Sequence, residues 1–180
     1  MRGRLGNWRP IVMTMWTWET IVEEPRIFQI SISKGGVPKL PVHSAKVTFL
    51  GLEGDHQNDL EHHGGPDRAL CLDSLEHIIA LQGEGHPMFP GSTGENLTLT
   101  GLDWAKVIPN TCLSLGAEVV IEVTRYTSPC RKIESSFADG QVVRMSQEQY
   151  PGWARLYARV LSAGCVRIGD RVRSMVGGLR

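Results

Sequence analysis

Cys130 sits behind a proline and beside two cations in Tyr126-Thr127-Ser128-Pro129-Cys130-Arg131-Lys132-Ile133, directly after an apolar alternating run. In an extended chain successive side chains alternate faces, so Cys130 and Lys132 point one way and Arg131 the other. A neighbouring ammonium favours the thiolate, the form that attacks electrophiles, carries a sulfane sulfur or ligates a metal. The competing reading is a buried cysteine at a strand end flanked by surface bases, since free cysteine is commonly buried. Cys71, Cys112 and Cys165 lie in apolar or strand-like runs without paired bases and read as core or ordinary surface thiols.

Two further stretches carry groups that can do chemistry. The loop from Gly51 to Arg68 is polar, punctuated by glycines, and holds Asp55, His56, His62, His63 and Arg68. His62, His63 and Cys130 make a poor zinc set, because adjacent residues rarely aim at one ion and no usual zinc spacing is present. His62-His63-Gly64-Gly65-Pro66 serves better as a tight turn whose backbone N–H groups face an anion, with Arg68 adding a cationic fork. The alternative is a solvated loop of charge pairs. In Gly94-Glu95-Asn96, the glycine permits close backbone approach, and a carboxylate can accept paired N–H bonds from a guanine-like edge such as a pterin presents. Asn96 offers both a donor and an acceptor. On this tripeptide alone, a strand start with an exposed acid is the better reading.

The elements that must position these groups are mostly strands. Phe28, Ile30 and Ile32 alternate with Gln29, Ser31 and Ser33, and Ala45, Val47 and Phe49 with Lys46 and Thr48, the period of half-buried strands. Further strands are expected over Arg68 to Leu72, Leu97 to Thr100, Leu113 to Leu115, Ala117 to Thr124, Tyr157 to Leu161 and Val166 to Val172, the last broken at Gly169-Asp170. A helix should begin at Asp73 as cap, with Glu76 reaching back and Leu75, Ile78 and Ile79 as its buried stripe. Ser146 and Gln149 form a capping pair for a short turn stopped by Pro151-Gly152. Many short strands with one or two short helices predict a mainly β, single-domain β-barrel of mostly antiparallel strands. Residues 1–25 are a Trp- and Arg-rich extension without periodicity, 26–173 the domain and 174–180 a tail.

Composition limits the function classes. A chain of 180 residues can bury its own core. Nineteen basic residues against nineteen acidic ones give no electrostatic reason for a nucleic-acid groove or a membrane surface. Widely spaced cysteines without a framework point to reduced thiols and a cytoplasmic setting, and the Ile11 to Val22 run, broken by Thr14, Thr17, Glu19 and Thr20, is a poor membrane span. Neither a Gly-x-Ser-x-Gly elbow, a dinucleotide fingerprint nor a P-loop is present.

Taken in order, Gly54-Asp55-His56-Gln57, His62-His63-Gly64-Gly65-Pro66-Asp67-Arg68-Ala69, Phe89-Pro90-Gly91-Ser92-Thr93-Gly94-Glu95-Asn96-Leu97, Ser128-Pro129-Cys130-Arg131-Lys132-Ile133 and Gly152-Trp153 through Arg159-Val160-Leu161 to Gly169-Asp170 resemble a stand-alone bacterial MOSC domain. The module also occurs at the C-terminus of molybdenum-cofactor sulfurases and in amidoxime-reducing enzymes. The resemblance implies a β-barrel and, at Cys130, the cysteine that ligates molybdenum or carries sulfur. It is strongest to the subgroup linked to detoxifying N-hydroxylated bases such as hydroxylaminopurine, although Arg131 stands where that subgroup would have an aromatic. It further implies the molybdenum cofactor (molybdopterin), held by His62, Gly64, Gly65, Arg68, Gly94, Glu95, Asn96 and Lys132. Asp55, His56 and His63 would be proton donors beside Cys130. A family-level association with pyridoxal phosphate binding also comes with it. No flavin or iron–sulfur motif is visible, so electrons for an N-hydroxylated small-molecule substrate would come from a separate reductase. Two rivals share the same cysteine: a persulfide sulfur carrier and a non-catalytic cofactor-binding module.

Overall fold

A computed structural model describes residues 24–56 and 64–175. In chain order its elements are β1 (Arg26–Ile32), β2 (Leu40–Val42), β3 (Ser44–Thr48), β4 (Gly51–Leu52), β5 (Leu70–Ser74), α1 (Leu75–Gly83), β6 (Leu97–Thr100), β7 (Cys112–Leu115), β8 (Val119–Tyr126), β9 (Leu156–Ser162), β10 (Gly164–Arg167) and β11 (Val172–Met175). Eight strands form one sheet in the order β11-β7-β8-β9-β5-β6-β1-β2, and β10-β3-β4 form a second. β5 and β6 pair in parallel and the other pairs are antiparallel. Parallel neighbours need a crossover connection, which α1 and the turns after it supply.

The fold is mainly β, as expected, but among the described residues the strand ladder does not close into a barrel. β11 and β2 are its edges. A single bridge, Arg26 to Arg171, joins the start of β1 to the approach of β11. Around it Ile27 N donates to Asp170 O at 2.9 Å and Val172 N to Pro25 O at 2.7 Å. The break at Gly169-Asp170 therefore separates two strands belonging to different sheets. β11 also takes in Met175, two residues into the expected tail.

Strict alternation misreads β1. Ile27 and Ile30 are the core residues, while Phe28 is 45% exposed. The pairing of β1 with β6 shifts register between Ile27 and Gln29, and an extra residue in one strand reverses which side chains face inward. In α1 the expected cap is one residue early: Ser74 occupies the cap position. Asp73 instead accepts from Ser74 N at 2.8 Å, and Ser74 Oγ donates to Glu76 at 2.6 Å. Ile78 and Leu81 are buried, whereas Ile79 is exposed, because 3.6-residue periodicity pairs Ile78 with a residue nearly one turn on.

Two apolar clusters result. The larger fills the sheet, with Leu70, Leu72, Leu97, Leu113, Ile121 and Leu156 among its members. The smaller gathers Ile78, Leu81, Met88, Ile133, Phe137 and Met145 beside α1. It is braced by His77 stacked on Trp153 at 4.6 Å and by the Arg144 guanidinium 3.8 Å above the Trp153 ring. Arg144 also pairs with Glu84 at 2.6 Å.

The β1 bulge sets opposite expectations for adjacent residues. Ile27→Ala should cost about 2–5 kcal/mol in urea unfolding, and Phe28→Ala no more than about 0.5 kcal/mol. Equal costs would restore the unbulged register.

Candidate functional site

The Cys130 segment takes its position from strand pairing. Thr127 N donates to Arg155 O at 2.9 Å, carrying the chain beyond β8 along the start of β9. Cys130 is still extended (φ −138°, ψ 166°) and stands at the N-cap of a 3-10 helix, Arg131–Ser136. Ile133, 2% exposed, roots that helix in the smaller core. Strand alternation thus stops at Cys130. Cys130 and Lys132 nevertheless line one cavity, while Arg131, with its side chain 94% exposed, pairs with Glu134 at 3.2 Å.

That cavity, of about 170 Å³, brings together Lys39, His56, Gly64, Arg68, Gly94, Asn96, Cys130 and Lys132 with Cys71, Thr93, Arg155 and Tyr157. Among the described residues its lining holds four cationic side chains and no carboxylate. Burial grades it: Cys71, Thr93, Asn96 and Arg155 are buried and form the floor, whereas Cys130 is half-buried and His56 and Lys132 are exposed at the rim. Arg68 Nε donates to Gly64 O at 3.0 Å and Arg68 N to Gly65 O at 3.0 Å, so the glycine turn orients the guanidinium. Gly65 caps the 3-10 turn Pro66–Arg68 and does not line the cavity. His62 and His63 lie outside the described residues.

The expected roles of Asp55 and Glu95 change. Asp55 is a buried anchor: its carboxylate accepts from Lys39 Nζ, from Asn96 Nδ2 at 2.9 Å and from Ser33 N at 2.9 Å. Paired with Lys39, with both side chains below one-tenth exposed, and absent from the cavity lining, Asp55 is placed as a positioning group. Glu95 is wholly buried and does not line the cavity. Its oxygens accept from Gly91 N, from Thr93 Oγ1 at 2.8 Å and from Thr98 Oγ1 at 3.1 Å, which ties the 91–98 turn together. Buried and outside the lining, these oxygens are not presented to a molecule in the cavity. Asn96 does line the cavity, but its amide is spent on Asp55 and on Cys71 N, the latter at 3.1 Å. Gly94 (φ +86°) is required, because a Cβ there would stand 2.8 Å from Val37 Cγ1 on the facing wall. His56 Nδ1 lies 3.3 Å from Gly54 O. With Nδ1–H donating there, Nε2 is the atom that can exchange a proton.

Lys39, Cys71, Arg155 and Tyr157 were not singled out by sequence. Cys71, Arg155 and Tyr157 stand in or beside strands whose local pattern is that of core, and only the β5–β9 pairing sets them side by side, with Cys71 opposite Tyr157. The one available signal was an arginine in an otherwise apolar run, Ala154-Arg155-Leu156. Burial pushes the Cys71 thiol up to about 11, so it stays protonated near neutrality. Burial likewise pushes the Tyr157 phenol up to about 12. Behind the floor, Asp73 is wholly buried with Oδ2 unpaired. Burial, with Glu95 nearby, holds its carboxyl well above the usual range.

A MOSC domain model matches residues 59–173. The uncharacterized protein YflK of Bacillus subtilis is 33% identical over 145 residues, covering 79% of this chain and 64% of that protein. Protein YiiM of Escherichia coli is 36% identical over 109 residues, covering 56% of this chain and 46% of that protein. The crystal structure of YiiM from Escherichia coli superposes with a TM-score of 0.63 at 26% identity, over 84% of this chain and 70% of that one. The chain thus spans less than two thirds of either curated relative's length. Among the described residues no helix is long and apolar enough to cross a membrane.

Two carboxylates give opposite tests. Asp55→Ala leaves the buried Lys39 ammonium unpaired and should cost about 3–5 kcal/mol in urea unfolding. For Asp73, whose folded-state pKa is raised, the native state holds the proton more tightly than the unfolded chain. Its contribution is full below the unfolded carboxyl pKa and is lost as pH rises toward the folded one. Asp73→Asn cannot ionise, so its stability relative to the parent should improve as pH rises above the ordinary carboxyl range. A difference independent of pH would mean that Asp73 ionises normally.

Proposed function

The chain belongs to the MOSC domain family, and from that premise we propose that it is a molybdenum-cofactor-dependent oxidoreductase reducing N-hydroxylated small molecules of the hydroxylaminopurine type at Cys130. Electrons reach it from a separate reductase. The observation that carries the reading is the cavity itself: a half-buried thiol at the rim of a cleft lined by cations and, among the described residues, by no carboxylate.

The donor set suits the cofactor. Cys130 offers a soft thiolate for molybdenum, and Arg68 and Lys132 offer cationic partners for the anionic pterin. Gly64 and Gly94 let backbone approach closely. When bound, the cofactor supplies the two-electron oxygen-transfer chemistry that reduction of N–OH to N–H requires. The remaining steps belong to this chain. Lys132 stands on the first turn after Cys130 and lines the same cavity. Ile133 fixes the height of that turn over the smaller core. Reduction also takes up two protons and releases water, and His56, at the rim, delivers a proton from Nε2 and regains it from solvent. Asp55 holds Asn96 and Lys39 at the wall, so both residues keep their place as the cavity fills.

The test compares the parent with Cys130→Ser, each made in a cofactor-competent host, for molybdenum and oxidised-pterin content and for reductase-dependent conversion of a hydroxylamino base. The parent should carry about one molybdenum per chain. The variant should lose metal and fall by more than the 10–100-fold typical of a residue that merely supports a ligand. Full metal and activity in Cys130→Ser would remove the thiol from the centre. Metal-free parent protein carrying cyanide-labile sulfur would establish the sulfur-carrier reading instead.

A further inference from the structure

Arg155 is unused by the reaction just described, yet it is built into the cavity at some cost. Its side chain is 7% exposed and lines the floor. Nη1 donates to Thr93 O and lies 3.9 Å from Cys71 Sγ. Nε is buried with no partner. Among the described residues Arg155 forms no ion pair, in contrast to Lys39, whose charge is answered by Asp55. Asp73 and Glu95 attract its charge, but neither is in ion-pair contact with it, and Glu95 spends its oxygens within its own turn. A desolvated guanidinium with no carboxylate in contact and one buried N–H unpaired is costly. Its planar fork matches a carboxylate or phosphate edge better than any other side chain does.

We propose that Arg155 is an oxyanion subsite at the floor of the cavity, binding a phosphate or carboxylate group of the molecule that occupies it. Thr93 fixes the guanidinium from one side. Glu95 in turn fixes Thr93 through its hydroxyl at 2.8 Å, so the fork is aimed before the ligand arrives. The thiol of Cys71 contributes no competing negative charge. The oxyanion belongs either to the cofactor or to an acid-bearing substrate, and the two have different consequences for a variant.

The first measurement uses the purified chain without cofactor, so that it does not depend on the proposed reaction. Inorganic phosphate and benzoate are titrated by calorimetry into the parent, Arg155→Met and Arg155→Lys, with circular dichroism and urea midpoints confirming that each variant is folded. Arg155→Met should weaken both anions about tenfold or more, with Arg155→Lys, a point charge without the fork, falling between. Affinity unchanged within about twofold in either folded variant would overturn the subsite, since a bracing role for Thr93 would not depend on the fork. The second measurement finds the owner. Pterin content that falls in Arg155→Met from a cofactor-competent host assigns the oxyanion to the cofactor. Unchanged pterin content, with kcat/KM reduced for a carboxylate-bearing hydroxylamine but not for its neutral counterpart, assigns it to the substrate. Arg155-dependent anion binding in a chain that reduces no hydroxylamine would sink the proposed reaction and leave the subsite standing.

Discussion

One buried carboxylate holds the site's walls together. Asp55 comes from the turn after β4, Lys39 from the approach to β2, Ser33 from the end of β1, and Asn96 from the step into β6. Each donates to the same two oxygens. In a low-dielectric interior such a junction is strong when complete, because each donor would otherwise be left unpaired at the cost of its full desolvation. Asn96 passes the constraint on, since its Oδ1 accepts from Cys71 N on β5 at 3.1 Å. The turn after β4, the approach to β2, the end of β1 and the step into β6 are thus tied together through one side chain.

The same principle governs the 89–98 turn. A stretch with two glycines and a proline has little conformational preference of its own, and Glu95 supplies what the backbone lacks by accepting from Gly91 and from two threonines. Gly91 packs so closely on Lys39 that a Cβ would overlap its carbonyl oxygen. Negative charge is therefore kept in the framework behind the wall and positive charge on its surface. That segregation allows an electroneutral chain to present a locally cationic cleft.

The legible part of the sequence was whatever is local. The proline before Cys130, the glycines at 64 and 94 and the alternation of Val119, Ile121 and Val123 all report on their own neighbourhoods, and β6 fell where its residues placed it. What depended on partners was not legible. Asp55 and Glu95 carry the same acid groups that a proton donor or a pterin acceptor would use, and only their neighbours, 16 residues away at Lys39 and 4 at Gly91, give them structural duties. Phe28 and Ile27 exchanged places because a bulge is a property of the pair of strands. Arg155 and Cys71, 84 residues apart, meet only through sheet pairing.

The division of the interior into two apolar clusters bears on how a bulky ligand is taken up. The sheet rests on the larger cluster, whereas the turn bearing Cys130 rests on the smaller, through Ile133 and the Trp153–Arg144 brace. Small clusters open at lower free energy than the global core. The lip of the cleft thereby rests on packing separate from that under the strands that carry Cys71 and Arg155, so a change in the smaller cluster reaches the Cys130 turn without crossing the sheet core.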